Sequence, residues 1–281
     1  LGVVADENAT ALSSSVRAAL LLFRDLCAMA TGAEATRLAA GASGSTSAAR
    51  AFALEAAENA LRRRGDDVFA AVPACRRAVT EDLCAPLLAR FAAWNAEEGD
   101  ESSPTEGRAA YRCAATAAEK MRRVAPVVCD AILRAVVEGL EVEMAPWRRS
   151  RALETLRGVV KDAERLGDVY AYAIGDEDDE HPDSNSDVTR TFRAKTTFLD
   201  VTRILARVVQ AGSAPQPDSG VDDIPGAVAG SFREKARGVD PVPADEDGAG
   251  HIAYAVFLAV DAVVVTARSL ETIADAAADE P

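Results

Sequence analysis

Residues Val16–Gly32 read VRAALLLFRDLCAMATG, residues Ala49–Phe69 read ARAFALEAAENALRRRGDDVF, and residues Arg77–Phe91 read RAVTEDLCAPLLARF. In the first, Val16, Leu20, Phe23, Cys27 and Ala30 recur at alternating steps of four and three, which draws one stripe down a helix. Leu22, Leu26 and Met29 widen that stripe. The spacing predicts a helix over 9–30, closed at Thr31-Gly32 by a glycine free to turn left-handed. The second stretch predicts a helix over 47–64 with Leu54, Ala57 and Leu61 on one face and Gly65 as its stop. In the third, Val79, Leu83, Leu87 and Phe91 fall at strict i+4 steps. That predicts a helix over 76–94, kinked by the internal Pro86.

The pattern continues outward. A polar stretch over 96–107 reads as a solvated loop. Helices are predicted over 108–124, over 126–144 with Val128, Ile132, Val136 and Leu140 inward, and from Pro146 to about Tyr172 with Leu153, Leu156, Val160 and Leu166 inward. The run DEDDEHPDSNSD over 176–187 is acidic and has no apolar period. A helix over 188–210, a Pro/Gly/Asp-rich connector, and a last helix over 249–278 with Val256, Val260, Val263 and Ala267 inward complete the chain. No segment reads as a strand series. Short turns make neighbouring helices antiparallel, so the fold class is all-α. The architecture is an irregular α-solenoid of armadillo/HEAT-like stacked helix pairs, without a fixed sequence period.

The 281 residues are 49% apolar but only 5% aromatic, and alanine is abundant, which suits closely stacked helices. A net charge of −14 argues against nucleic acid and against flat adsorption to anionic lipid without a local basic patch. The five cysteines, Cys27, Cys75, Cys84, Cys113 and Cys129, lie in apolar helical runs with no CxxC spacing and read as buried thiols. Leu1 rather than Met opens the chain, so it reads as part of a longer protein. The apolar run over 252–265 is broken by Asp261 and is too short to span a bilayer.

No nucleophile elbow, phosphate loop, HExxH or paired-cysteine motif occurs. Gly41-Ala42-Ser43-Gly44 follows no strand, so it does not read as a phosphate cradle. The acidic run lacks the glycine-centred spacing of a calcium loop. His181 lies in that run and His251 begins the last helix, each without a nucleophile partner. No catalytic, cofactor or metal residue is expected, and the chain does not read as an enzyme. Basic clusters at Arg62-Arg63-Arg64, Arg122-Arg123 and Arg148-Arg149 with Arg151 read first as solvated helix ends. Arg122, Arg123, Arg148 and Arg149 are the candidate docking residues for a negatively charged partner or headgroup. Asp25 sits beside a buried stripe and needs a donor, either a neighbouring helix end to cap or an arginine.

Ordered motifs along the chain carry a family resemblance. Phe23-Arg24-Asp25-Leu26-Cys27 resembles the opening of the domain called homology upstream of Sec-seven (HUS), found in BIG-type large Arf exchange factors and in the Mon-two scaffold. The segment Arg50 to Glu55, with Phe52 and Glu55, the Leu83-Cys84-Ala85-Pro86 turn, the Trp147 helix and the Asp240-Pro241 turn resemble later motifs in the same order. The place of the HUS box, Tyr170 to Asp179, reads YAYAIGDEDD and departs from the Asn-Tyr-Asp-Cys-Asp pattern. That departure favours the non-catalytic branch.

The resemblance implies a HUS-like helical domain over 8–212, a connector over 213–248 and a long helix over 249–281 that packs on or continues the solenoid. It implies a non-catalytic scaffold on Golgi, trans-Golgi network or endosome membranes in vesicle-mediated protein transport. Arf/Arl-family GTPases and a Dopey-type protein would be its partners, and membrane contact would come through other parts of a longer chain. Self-association stays open. The alternatives are a regulatory fragment of an active exchange factor and an unrelated helical interaction module.

Overall fold

The computed structural model describes residues 12–33, 35–38, 46–96, 103–141, 146–164, 166–167, 200–208 and 249–278. The predicted acidic run, the connector, the HUS-box position and the Asp240 turn lie outside the described residues. Among those described there is no strand, and helices pack on helices: the fold is all-α and solenoid-like.

By contacts the chain divides into two units, 1–135 and 136–281, with the division inside a helix. The first unit holds α1 (Ser14–Thr31), α2 (Ser47–Arg64), a π-turn (Gly65–Phe69) and α3 (Pro73–Arg77). A π-helical segment (Ala78–Cys84), α4 (Ala85–Ala96), α5 (Pro104–Met121) and the first turns of α6 (Pro126–Glu141) follow. The second unit holds the end of α6, then α7 (Pro146–Val160), a helical segment α8 at 200–208 and α9 (Ala249–Ala278).

The first helix starts at Ser14 rather than at residue 9, because the Ser13 hydroxyl accepts the Val16 N–H and fixes the start there. Gly32 closes it at φ 80°, as its spacing predicted. Leu20, Phe23, Cys27 and Ala30 are buried, whereas Leu22 faces solvent. In α2, Thr46 caps the start and Leu54, Ala57 and Leu61 are buried.

Gly65 ends α2 as its spacing predicted, but without a left-handed turn. It stays right-handed at φ −56°, and the chain widens into a π-turn. A Cβ there would stand 2.5 Å from Lys120 Cγ, so the glycine permits a close approach of α5. The kink expected at Pro86 appears as the π segment just before it. There the Ala85 N–H reaches back five residues to the Thr80 carbonyl, and a widened register absorbs the bond that proline cannot make. Val79, Leu83, Leu87 and Phe91 all lie in the core as read.

Long-range polar pairs show how the first unit stacks. Arg24 meets Asp82 across 58 residues, Arg50 meets Glu106 across 56, Arg112 meets Glu58 across 54 and Lys120 meets Asp66 across 54. Partners on α2 and α5 ascend together, so these two helices run parallel as equivalent members of successive hairpins. This is a solenoid rung without a sequence repeat. Phe91 of α4 stacks on Tyr111 of α5 at 4.9 Å between centroids and fills the space between them.

In the second unit α9 packs along α7. The face it uses differs from the predicted one. Val260 and Val263 are exposed, as is Ala267, while Leu258, Ala259, Ala262, Thr266 and Ser269 are buried. Val256 lies outside the residues whose side chains are described. The small residues let the two backbones approach, and the buried hydroxyls are satisfied by backbone carbonyls. Thr266 donates to Ala262 at 2.7 Å and Ser269 to Val160 at 3.0 Å. Arg157 pairs with Asp261 at 2.5 Å on the same interface.

Candidate functional site

The motif residues divide between core and surface. Phe23 is buried, its ring 4.6 Å from that of Phe69 in the π-turn. Cys27 lies beside it on the inner face, and Leu26 is half-buried. Phe52, by contrast, is 63% exposed on the outer face of α2, the most open of the large apolar side chains among the described residues. Glu55 is half-exposed and pairs with Arg112 at 3.3 Å. Trp147 is half-buried at the start of α7.

Asp25 is buried, and its donors are neither an arginine side chain nor a helix end. Its carboxylate gathers the loop that follows α1. Oδ1 accepts from the Thr36 hydroxyl at 2.8 Å and the Thr36 N–H at 3.2 Å, and Oδ2 accepts from the N–H of Arg37 and, at 3.0 Å, of Leu38. Burial alone would raise this carboxyl. The hydroxyl and the three backbone N–H groups reverse that and hold it below the usual carboxylate range. The residue is a clasp for the loop.

Sequence reading missed the polar core between α2, α4 and α5. Glu106, buried in the first turn of α5, takes both arms of Arg50 at 2.8 Å and a further bond from Arg90, whose guanidinium also lies 5.8 Å from the centre of the Trp94 ring. Burial pushes Glu106 up, and the Arg50 and Arg90 guanidinium groups bring it below its ordinary value. Glu58, also buried, is held by Arg62 and by Arg112 at 2.9 Å. Glu58–Arg62 is a local i+4 pair, but no local pattern signals Arg50–Glu106 or Arg112–Glu58, whose members are 56 and 54 residues apart.

The candidate docking arginines differ in exposure. Arg148 is buried at 2% exposure and cannot contact a partner. It falls on the inward stripe of α7 with Ala152 and Thr155, at steps of four and three, and with Leu156. Arg149 is half-buried, Arg122 is half-buried and donates to the Glu119 carbonyl, and Arg123 is exposed.

The buried carboxylates are used up in holding helices and loops. A cleft lined by Cys27, Ala30, Leu54, Leu83, Leu87 and Arg90 encloses about 160 Å³, below the roughly 300 Å³ at which small-molecule sites begin. All five cysteines are buried, and burial pushes the Cys84 and Cys129 thiols up to about 12. Among the described residues no group of His, Cys, Asp and Glu could hold a metal ion, and no helix is long and apolar enough to cross a membrane.

These features define a helical, solenoid-like domain. The family model for the HUS domain of Mon2/Sec7/BIG1-like proteins matches residues 15–172, more than half of the chain. The chain belongs to this Mon2/Sec7/BIG1-like family and carries its HUS domain. That domain is a non-catalytic region, separate from the catalytic Sec7 domain, in a family associated with membrane trafficking. No curated protein and no solved structure matches the chain.

Proposed function

We propose that the chain is a non-catalytic scaffold or regulatory domain of a peripheral Golgi–endosome protein in vesicle-mediated transport, and that it docks Arf/Arl-family GTPases or a Dopey-type partner. The observation that carries this reading is the exposed Phe52 on the outer face of α2, above a helix whose inner face is locked to α5 by Arg50–Glu106 and Glu58–Arg112. A large aromatic on a rigid support is the kind of anchor on which protein partners concentrate binding energy. The departure from the HUS-box pattern at Tyr170 to Asp179 supports the scaffold branch over a fragment of an active exchange factor.

The test is a pull-down with GTP-analogue-loaded Arf and Arl GTPases and with a Dopey-type protein, using the chain and its Phe52→Ala variant. The proposal expects capture by the chain and at least a tenfold loss in the variant, about 1.4 kcal/mol or more, with unchanged melting. Capture of none of these by a folded chain would sink the partner assignment.

A further inference from the structure

Basic clusters far apart in the sequence meet at one end of the first unit. Because α2 and α5 run parallel, their C-terminal ends lie side by side. Lys120 reaches Asp66 at 2.7 Å, and its stem lies against Gly65. Arg62, Arg63 and Arg64 close α2 there, and Arg122 and Arg123 follow Lys120 at the end of α5. Among the described residues, these two helix ends hold Asp66, Asp67 and Glu119 against the six basic side chains Arg62, Arg63, Arg64, Lys120, Arg122 and Arg123, on a chain whose total charge is −14.

Helix-end electrostatics explains part of it. Arg122 donates to the Glu119 carbonyl, and Arg62 serves Glu58. It does not explain Arg63, which is exposed and enters no ion pair among the described residues, nor the 68% exposed Arg64 side chain, whose contact with Asp67 is 3.7 Å long. Nor does it explain the apolar tip. The tight turn from α5 to α6 is closed by the Val124 and Ala125 N–H groups on the Met121 carbonyl. It leaves Val124 36% exposed and Val127 44% exposed directly beyond the arginine pair.

We propose that this edge docks on an anionic lipid surface, with Arg63, Arg64 and Arg123 over headgroup phosphates and Val124 and Val127 entering the interface. Basic side chains at adjoining helix ends, next to exposed apolar residues of a turn, supply the two attractions that interfacial attachment uses. An acidic peptide would be better served by a groove than by two helix ends and a turn. The inference goes beyond the scaffold reading and stands independently of any GTPase partner.

The test is co-sedimentation of the 281-residue chain with phosphatidylcholine vesicles, with and without phosphatidylserine, at low and high salt. The chain is expected to bind only the phosphatidylserine vesicles and to be released by salt. The Arg63→Glu/Arg64→Glu/Arg123→Glu variant is expected to lose about a hundredfold or more in partitioning, from about 1 kcal/mol per basic side chain. A Val124→Asp/Val127→Asp variant is expected to lose vesicle binding too. All these positions are at least one-third exposed, and unchanged circular dichroism confirms the fold. Absence of binding by the parent chain, equal binding by either folded variant, or binding to soluble polyglutamate in place of vesicles would each overturn the proposal.

Discussion

Replacing Asp25 with alanine removes four hydrogen bonds at once: the Thr36 hydroxyl and the N–H groups of Thr36, Arg37 and Leu38 all end on this carboxylate. Were these donors left dry, each would cost about 1–3 kcal/mol. Residues 36–38 are exposed, however, so the freed loop can swing out and recover water. The expected loss is therefore about 2–3 kcal/mol, that of a strong charge-assisted contact. In a domain of this size it lowers Tm by about 5–10 °C. Scanning calorimetry or thermal circular dichroism at neutral pH reads it directly.

The pH dependence sharpens the test. The folded carboxyl titrates below its unfolded counterpart. Its stabilisation is therefore fully present above the unfolded value of about 4 and is lost as pH falls through the folded value. The gap between parent and variant should be constant from neutrality to about pH 5 and should close in more acid solution. A Tm loss under about 1 °C, or a gap that widens in acid, would refute the clasp.

Three further outcomes follow from the packing. Glu106→Gln strips the charge that Arg50 and Arg90 share, and should lower the urea-unfolding free energy by about 1.5–3 kcal/mol, because it takes the counter-charge from two half-buried guanidinium groups. On α9, Ala262→Asp should cost more than about 3 kcal/mol and Val263→Asp less than about 0.5 kcal/mol, since the first faces α7 and the second solvent; equal effects in chemical denaturation would reverse the face assignment. With Cys84 and Cys129 raised to about 12 and Cys27 and Cys113 raised as well, a thiol reagent at mildly alkaline pH should label the native chain only as it unfolds. Prompt labelling in native buffer would contradict that burial.

How far the sequence reports the fold depends on where the information lies. The inner faces of α1 and α2 are legible because Leu20, Phe23 and Cys27, and Leu54, Ala57 and Leu61, recur at steps of three and four, although Leu22 beside the first stripe faces solvent. The inner face of α9 is not, because valines and alanines surround the helix. The interface selects the smaller side chains, which a hydrophobicity reading ranks below Val260 and Val263. Adjacent arginines at Arg148 and Arg149 look alike in a string, yet helix geometry puts the first on the buried stripe and the second off it. Asp25 announced its need for donors, but backbone N–H groups of a loop carry no side-chain signature. The ladder of Glu58 and Glu106 with Arg112 and Arg50, and the basic edge at the ends of α2 and α5, arise only when helices 54–56 residues apart are laid parallel. The candidate interaction surfaces belong to this last kind.

The central claim is that the helical stack acts by docking and carries out no nucleotide exchange. It is tested most directly by the release rate of a fluorescent guanine nucleotide from each Arf and Arl GTPase, with and without saturating chain. The account predicts an unchanged rate for every GTPase, including any that the chain captures. Accelerated release would contradict it.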